Sequence, residues 1–214
     1  MTALILVAAS GLAREALEAV RVQQRYDVVG IVDDNPALVG ELVDGVKVLG
    51  GLSAIADHPD AQVLLCAGSG TAREALAQRL DLPPTRYACV VHPSVALPPS
   101  CSIGAGSLLL AGCVLTASVE VGEHVVLMPN VTLTHDDRIG DYATLCAGVV
   151  LGGGVRVGER AYLGMAASVR QNLTIGADSV VGMGSVLLRD VPAGRTWFGA
   201  PARDSETQEG WQPT

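Results

Sequence analysis

The chain has 214 residues, of which 49% are aliphatic, aromatic or Cys but only 3% are Phe, Trp or Tyr. Its net charge is −8 with no basic cluster, which excludes a phosphate-backbone partner from the expectations. No apolar run approaches the roughly 18 residues needed to span a bilayer. Much Gly with few aromatics points to many short, closely stacked strands.

The start, "MTALILVAASG", lacks a basic leader and reads as a first strand rather than a signal peptide. "SGLAREALEAV" then places Leu12, Ala16, Leu17 and Val20 on one helical face. "YDVVGIVDD" is a second strand, closed by a turn at Asn35-Pro36, and "AQVLLCAGSG" is a third. "TAREALAQRL" is a second amphipathic helix, with Thr71 as its expected N-cap. Strands alternating with helices predict a small parallel, Rossmann-like sheet over residues 1–80, followed by a linker over 81–90. "AASGLA" carries one glycine of the dinucleotide fingerprint, so a nicotinamide cofactor is not expected. The turn still sets Ser10 and Gly11 at a helix N-terminus, where free N–H groups can meet a polar or phosphorylated ligand. Asp33 and Asp34 end the second strand, where acids often hold ribose hydroxyls.

From Val91 the grammar changes. Stepping by six from Val91 to Leu187 meets an aliphatic residue at all seventeen positions, with no insertion breaking the phase. Two residues before each lies a second periodic site, mostly Val, Ala, Ser or Cys. This hexad pattern resembles the hexapeptide-repeat family, and the resemblance implies a left-handed parallel β-helix, assigned to residues 91–192. Three hexads then form one triangular coil, so each aliphatic side chain rests on its counterpart eighteen positions away, about 4.8 Å along the stack. Residues 193–214 are read as a C-terminal cap, "VPAGRTWFGAPAR" contributing, and a polar, fraying tail after Arg203.

"LTHDD" (133–137) departs from this scaffold. Leu133 points inward, so His135 and Asp136 fall at a corner and point out. Asp137 occupies the periodic small site, where a carboxylate needs hydrogen-bond partners. A histidine, with an ordinary pKa near 6.5, suits general-base work at neutral pH, and a neighbouring carboxylate favours the imidazolium that forms. Cys113 and Cys146 are read as small packing residues rather than nucleophiles, and the five cysteines as reduced in a cytoplasmic protein without a zinc site.

"AASGLAREALEAV", "VDD", "AGSG", "HDD" and "DVPAGRTWFGAPAR" together resemble the sialic acid O-acetyltransferase and UDP-4-amino-sugar N-acetyltransferase family over residues 3 to 203. The resemblance implies transfer of acetyl from acetyl-CoA, without a metal, to a sugar amine or hydroxyl, first a UDP-4-amino-sugar. It makes His135 the general base and Asp136 the acid that raises its basicity. It sets acetyl-CoA between β-helices of a homotrimer, beside Thr144, Gly153, Met165 and Met183, the Gly153 N–H facing the thioester oxygen. It assigns the nucleotide-sugar to Ser10, Gly11, Leu12, Asp33, Asp34 and Gly68. Three departures bear on the substrate: Leu12 and Thr144 stand where the family has His or a similar polar residue, and Met128 where it often has Asn. The rival readings are a sialic acid type O-acetyltransferase, a nucleotide-sugar-binding scaffold without catalysis, and a γ-class carbonic anhydrase. The last needs three gathered histidines, which the spacing of His92, His124 and His135 does not resemble.

Overall fold

Alternate residues of the first strand look in opposite directions, and each side has its own helix. A computed structural model describes residues 1–207. In β1 (Thr2–Val7), Leu4 and Leu6 join the buried face of α1 (Gly11–Gln23), namely Ala13, Ala16, Leu17 and Val20. Ile5 and Val7 face the other way, toward Leu76, Ala77 and Leu80 of α2 (Gly70–Leu80). Strand β1 pairs in parallel with β2 (Tyr26–Val32) and with β5 (Gln62–Leu65).

Two features of this unit differ from the sequence expectation. A hairpin of β3 (Leu42–Val43) and β4 (Val46–Gly50) adds two strands, β4 running parallel to β2, so the sheet has five strands. The Asp44-Gly45 pair between two apolar runs, both residues at positive φ, is the local signal for that turn. Ser69 rather than Thr71 caps α2, its Oγ accepting from the Ala72 N–H at 3.2 Å. The chain enters the helix two residues before the apolar pattern does.

The hexads form the expected parallel β-helix. Every coil pairs with the next at a register of eighteen, as in Val126 with Leu108 and Thr144 with Tyr162. Leu109, Leu127, Leu145 and Leu163 stack inside one face, and Leu115, Leu133 and Leu151 inside the next, all essentially fully buried. Burying each such side chain contributes about 2 kcal/mol. The first coil departs from this: Leu97 is 40% exposed, and Val91 and Ile103 are half-buried. The chain turns at each corner through a left-handed residue, and these recur every six positions from Gly106 to Gly184. Glycine fills some and Asn, Asp, Ser and His, which tolerate that conformation best, fill others; Tyr142, Arg160 and Ala166 adopt it as well, so the repeat imposes the turn even on residues that disfavour it.

One face of the prism, with outward residues Val126, Thr144 and Tyr162, carries the N-terminal unit, α1 packing against Leu108, Leu110 and Val126. The far end is closed by Thr196–Gly199, which extends this face in parallel, and by Ala202–Asp204, which folds back antiparallel. Residues 204–207, expected to fray with the tail after Arg203, are held instead: Arg195 holds Asp204 at 2.9 Å and also pairs with Glu206. Residues 208–214, the rest of that tail, lie outside the described residues. Among the described residues no helix is long and apolar enough to cross a membrane.

Candidate active site

The three corners of each coil run along the prism as three edges. The first edge includes residues 146–149, 164–167 and 182–185. The second, opposite the face that carries the N-terminal unit, includes residues 134–137, 152–155 and 170–173. The third includes residues 122–125, 140–143 and 158–161.

His135 stands on the second edge with its side chain 69% exposed, and its Nδ1 lies 2.8 Å from Asp136 Oδ2. The Asp136 backbone takes the left-handed turn, at φ 65°. That contact leaves Nε2 as the outward nitrogen. Beneath the ring lies Gly153, eighteen residues on. A Cβ there would sit 2.3 Å from His135 Nε2, so the glycine lets the imidazole rest against the next coil where it stands. The Gly154 N–H donates to the His135 carbonyl at 2.8 Å and locks the two corners together.

Asp137 is fully buried, as its place in the repeat requires. Its two oxygens accept the Thr134 N–H at 2.7 Å and the Val155 N–H at 2.8 Å. The second bond matches the one Ser107 makes to Val125, also eighteen residues on. The carboxylate thus does a hydroxyl's work at the small site and clamps residues 134–137 as well. Burial pushes its pKa up to about 6, against the pull of the two N–H groups and of His135.

The other expected site residues divide into separate groups. Gly11, Leu12 and Gly68 line a cavity of about 310 Å3 together with Met128, Thr144 and Tyr162. Thr144 therefore sits on the side of the N-terminal unit and not beside Gly153. Ser10 caps α1, its Oγ accepting from the Ala13 N–H at 3.1 Å and donating to the Cys66 carbonyl at 2.6 Å. Asp33 accepts the Ala9 and Asn35 N–H groups, both at 2.8 Å, and so braces the turn after β1. Asp34 pairs with Arg79 at 2.7 Å, and that hydrogen bond holds its carboxyl below the usual carboxylate range. Both aspartates face a second, smaller hollow with Val32 and Leu52. Met165 and Met183 project, 51% and 71% exposed, from the first edge.

The cysteines are free. Burial pushes Cys66 up to about 12 and Cys113 up to about 11, which suits packing rather than attack. Cys146 is not an interior packing residue: it follows Leu145 outward and lines the cavity beside Thr144. Among the described residues, no three His, Cys, Asp or Glu side chains are grouped to hold a metal ion.

The family model for the PglD N-terminal domain matches residues 3–80. The model for the hexapeptide repeat of succinyl-transferase matches residues 154–189. No curated protein sequence matches the chain. Among solved structures, PerB from Caulobacter crescentus, in complex with CoA and GDP-perosamine, is similar at 29% identity. The match covers 96% of this chain and 98% of that one, with a TM-score of 0.86. The same perosamine N-acetyltransferase has been solved with a histidine replaced by asparagine. WeeI from Acinetobacter baumannii AYE matches at 29% identity over 95% of this chain and 100% of that one, at a TM-score of 0.84. The acetyltransferase domain of PglB from Neisseria gonorrhoeae FA1090, in complex with acetyl coenzyme A, shares the fold at 24% identity. That match covers 94% of this chain and 98% of that domain, at a TM-score of 0.87.

Proposed function

We propose that this chain, a member of the hexapeptide-repeat acetyltransferases with a PglD N-terminal domain, moves the acetyl group of acetyl-CoA to the amine of a nucleotide-linked sugar. The observation that carries this is the His135–Asp136 pair on an open edge, with Nε2 outward over Gly153. The thioester is already activated, so the chain has to place an amine and take its proton. His135 Nε2 accepts that proton as the nitrogen–carbon bond forms, then returns it to the departing thiolate when the carbon–sulfur bond breaks. Asp136 supports the imidazolium between these events. The Gly153 N–H is assigned to the oxyanion, where one donor is worth about 3 kcal/mol.

The site is read as shared between copies in a homotrimer. His135 and Gly153 occupy the second edge, Met165 and Met183 the first, and the cavity with Gly11, Leu12 and Gly68 lies on the face opposite the second edge. One copy's second edge then meets another copy's first edge and cavity, with the CoA arm between them. We place the protein in the cytoplasm, where free thiols stay reduced.

Two experiments test this. Thiol release from acetyl-CoA is followed with UDP- and GDP-linked amino sugars and with sialic acid as acceptors. Turnover with an amino sugar supports N-acetyl transfer and identifies the nucleotide, turnover with sialic acid alone moves the reaction to a hydroxyl, and no turnover supports the scaffold reading. His135→Ala chains are then mixed and reassembled with Gly68→Trp chains, the tryptophan entering the open space at Gly68. A shared site regains activity in the mixture; a site complete within one chain leaves the mixture as inactive as its parents.

A further inference from the structure

Arg73 is the largest fully buried side chain of the molecule's described residues, and it has no carboxylate partner among them. It sits in the first turn of α2, where a cation opposes the helix dipole. On an amphipathic helix an arginine is expected in solvent, so its position breaks two local rules at once.

The guanidinium has five N–H donors, and all three nitrogens are engaged. Nε donates to the His124 carbonyl at 2.9 Å. Nη1 donates to the Ala67 and Gly68 carbonyls at 3.0 and 3.2 Å. Nη2 donates to the Tyr142 and Ala143 carbonyls at 2.6 and 3.1 Å and to Thr144 Oγ1 at 2.9 Å. One side chain thus ties the loop after β5 to the third-edge corners of two successive coils. Burial lowers its pKa only to about 10, so the charge is retained at neutral pH.

Two of these acceptors, Gly68 and Thr144, line the cavity between the N-terminal unit and the β-helix. Because Thr144 Oγ1 accepts from Arg73, its own hydrogen is free to be donated, either to the Gly68 carbonyl 3.5 Å away or to a ligand in the cavity. The guanidinium itself has no donor left for a ligand. Glu15 also lines this cavity, and the buried Arg73 charge, with no acid beside it, offsets that carboxylate and raises the potential at the wall made by Gly68 and Thr144, since the low local dielectric weakens its screening.

We infer that Arg73 is a positioning residue of the acceptor site: it fixes Gly68 and Thr144 as the cavity wall and supplies the positive potential that receives the diphosphate of a nucleotide-sugar. This rests on the acetyltransferase reading for its substrate. Its test does not need turnover, because binding of a nucleoside diphosphate is read directly.

The intact protein is titrated calorimetrically with UDP, GDP and the corresponding nucleosides, for wild type, Arg73→Lys and Thr144→Val, with thermal melts alongside. In Arg73→Lys, which keeps the charge but not the six contacts, diphosphate affinity falls about tenfold through the displaced wall. Where acceptor turnover is measurable, acceptor KM rises by a similar factor while acetyl-CoA KM stays within twofold. Arg73→Gln removes the charge as well, and the diphosphate loses at least tenfold more affinity than the nucleoside does. A purely structural role predicts that Arg73→Gln loses both ligands equally, or that the Arg73 variants raise both KM values in parallel, and either result overturns the inference. If the Arg73 variants do not fold, Thr144→Val decides. A severalfold loss of diphosphate affinity with acetyl-CoA KM unchanged supports the inference; unchanged diphosphate binding, or a rise confined to acetyl-CoA KM, overturns it. If wild type binds a diphosphate but turns over no acceptor, the acetyltransferase reading fails and the assignment of Arg73 stands.

Discussion

Two histidines, eleven residues apart, lie at corners of the same solenoid and show how differently its two edges treat an imidazole. His124 is on the third edge, under the N-terminal unit, and is 2% exposed. Tyr142 stacks on its ring at 5.1 Å and Tyr87 meets it edge-on at 4.5 Å. Burial lowers its pKa to about 4, Arg73 adding to the effect, and its Nδ1 has no hydrogen-bond partner among the described residues. His135 is on the second edge, open to solvent and paired with Asp136. Each ring lies on a glycine of a neighbouring coil, His124 on Gly106 and His135 on Gly153. The same device, an imidazole seated on a bare backbone, serves packing at one edge and, in the function proposed above, chemistry at the other. What differs is whether a neighbour covers the ring.

The largest expected effect separates the two rings by function. His135→Ala lowers kcat by a hundredfold or more, within the 10²–10⁴ range of lost general-base catalysis, while the melting temperature stays within about a degree. His124→Gln does the reverse: acetyl transfer per folded molecule persists and stability falls.

The second effect is the pH dependence of stability. His124 has a folded pKa near 4 against an ordinary 6.5, so the unfolded chain binds more protons between those values. The stability it confers is complete above pH 6.5 and is lost as pH falls toward 4, by up to about 3 kcal/mol. Asp137 has the opposite sign. Its pKa is raised to about 6, so the folded state holds the extra proton and stability declines as pH rises from about 4 to 6. Denaturant titrations of wild type and His124→Gln across pH 4–7 isolate the histidine. The wild-type advantage shrinks on acidification, and an advantage constant with pH contradicts the buried neutral ring.

The two glycines give the next pair. In Gly106→Ala the new Cβ would lie 2.2 Å from His124 Nδ1 at a φ of +73°, inside a ring held by two tyrosines. We expect a loss of about 2 kcal/mol, read as a drop in melting temperature, without loss of kcat in the folded fraction. In Gly153→Ala the clash falls on an exposed ring that is able to swing away. Stability stays near wild type while kcat falls about tenfold, because the base has left its position. If both variants lose stability and neither loses rate, the two edges are not functionally distinct.

Much of this division could be read from the sequence. The six-residue step determines which residues are inside, because one packing rule repeats without interruption from Leu109 to Leu187. It also shows Asp137 as the residue that needs partners, and they are two backbone N–H groups. The same arithmetic separates the edges. Gly153 is one full coil of eighteen from His135, whereas Met165 is thirty residues on and falls on another edge. Thr144, at a strand rather than a corner, belongs to the cavity by the same reasoning. Arg73 had no such signal. Its burial depends on carbonyls from segments as distant as Ala143, seventy residues along the chain, which no local pattern carries. Asp33 and Asp34 were legible as strand-end acids, but only the fold shows one bracing a turn and the other paired with Arg79.

The most direct test of the central claim is the rate of thiol release from acetyl-CoA with a nucleotide-linked amino sugar, compared between wild type and His135→Ala at matched folded concentration. A fall of a hundredfold or more with unchanged melting temperature is the predicted result. Turnover that survives the substitution within a fewfold would contradict the role of the His135 edge and move the chemistry elsewhere on the molecule.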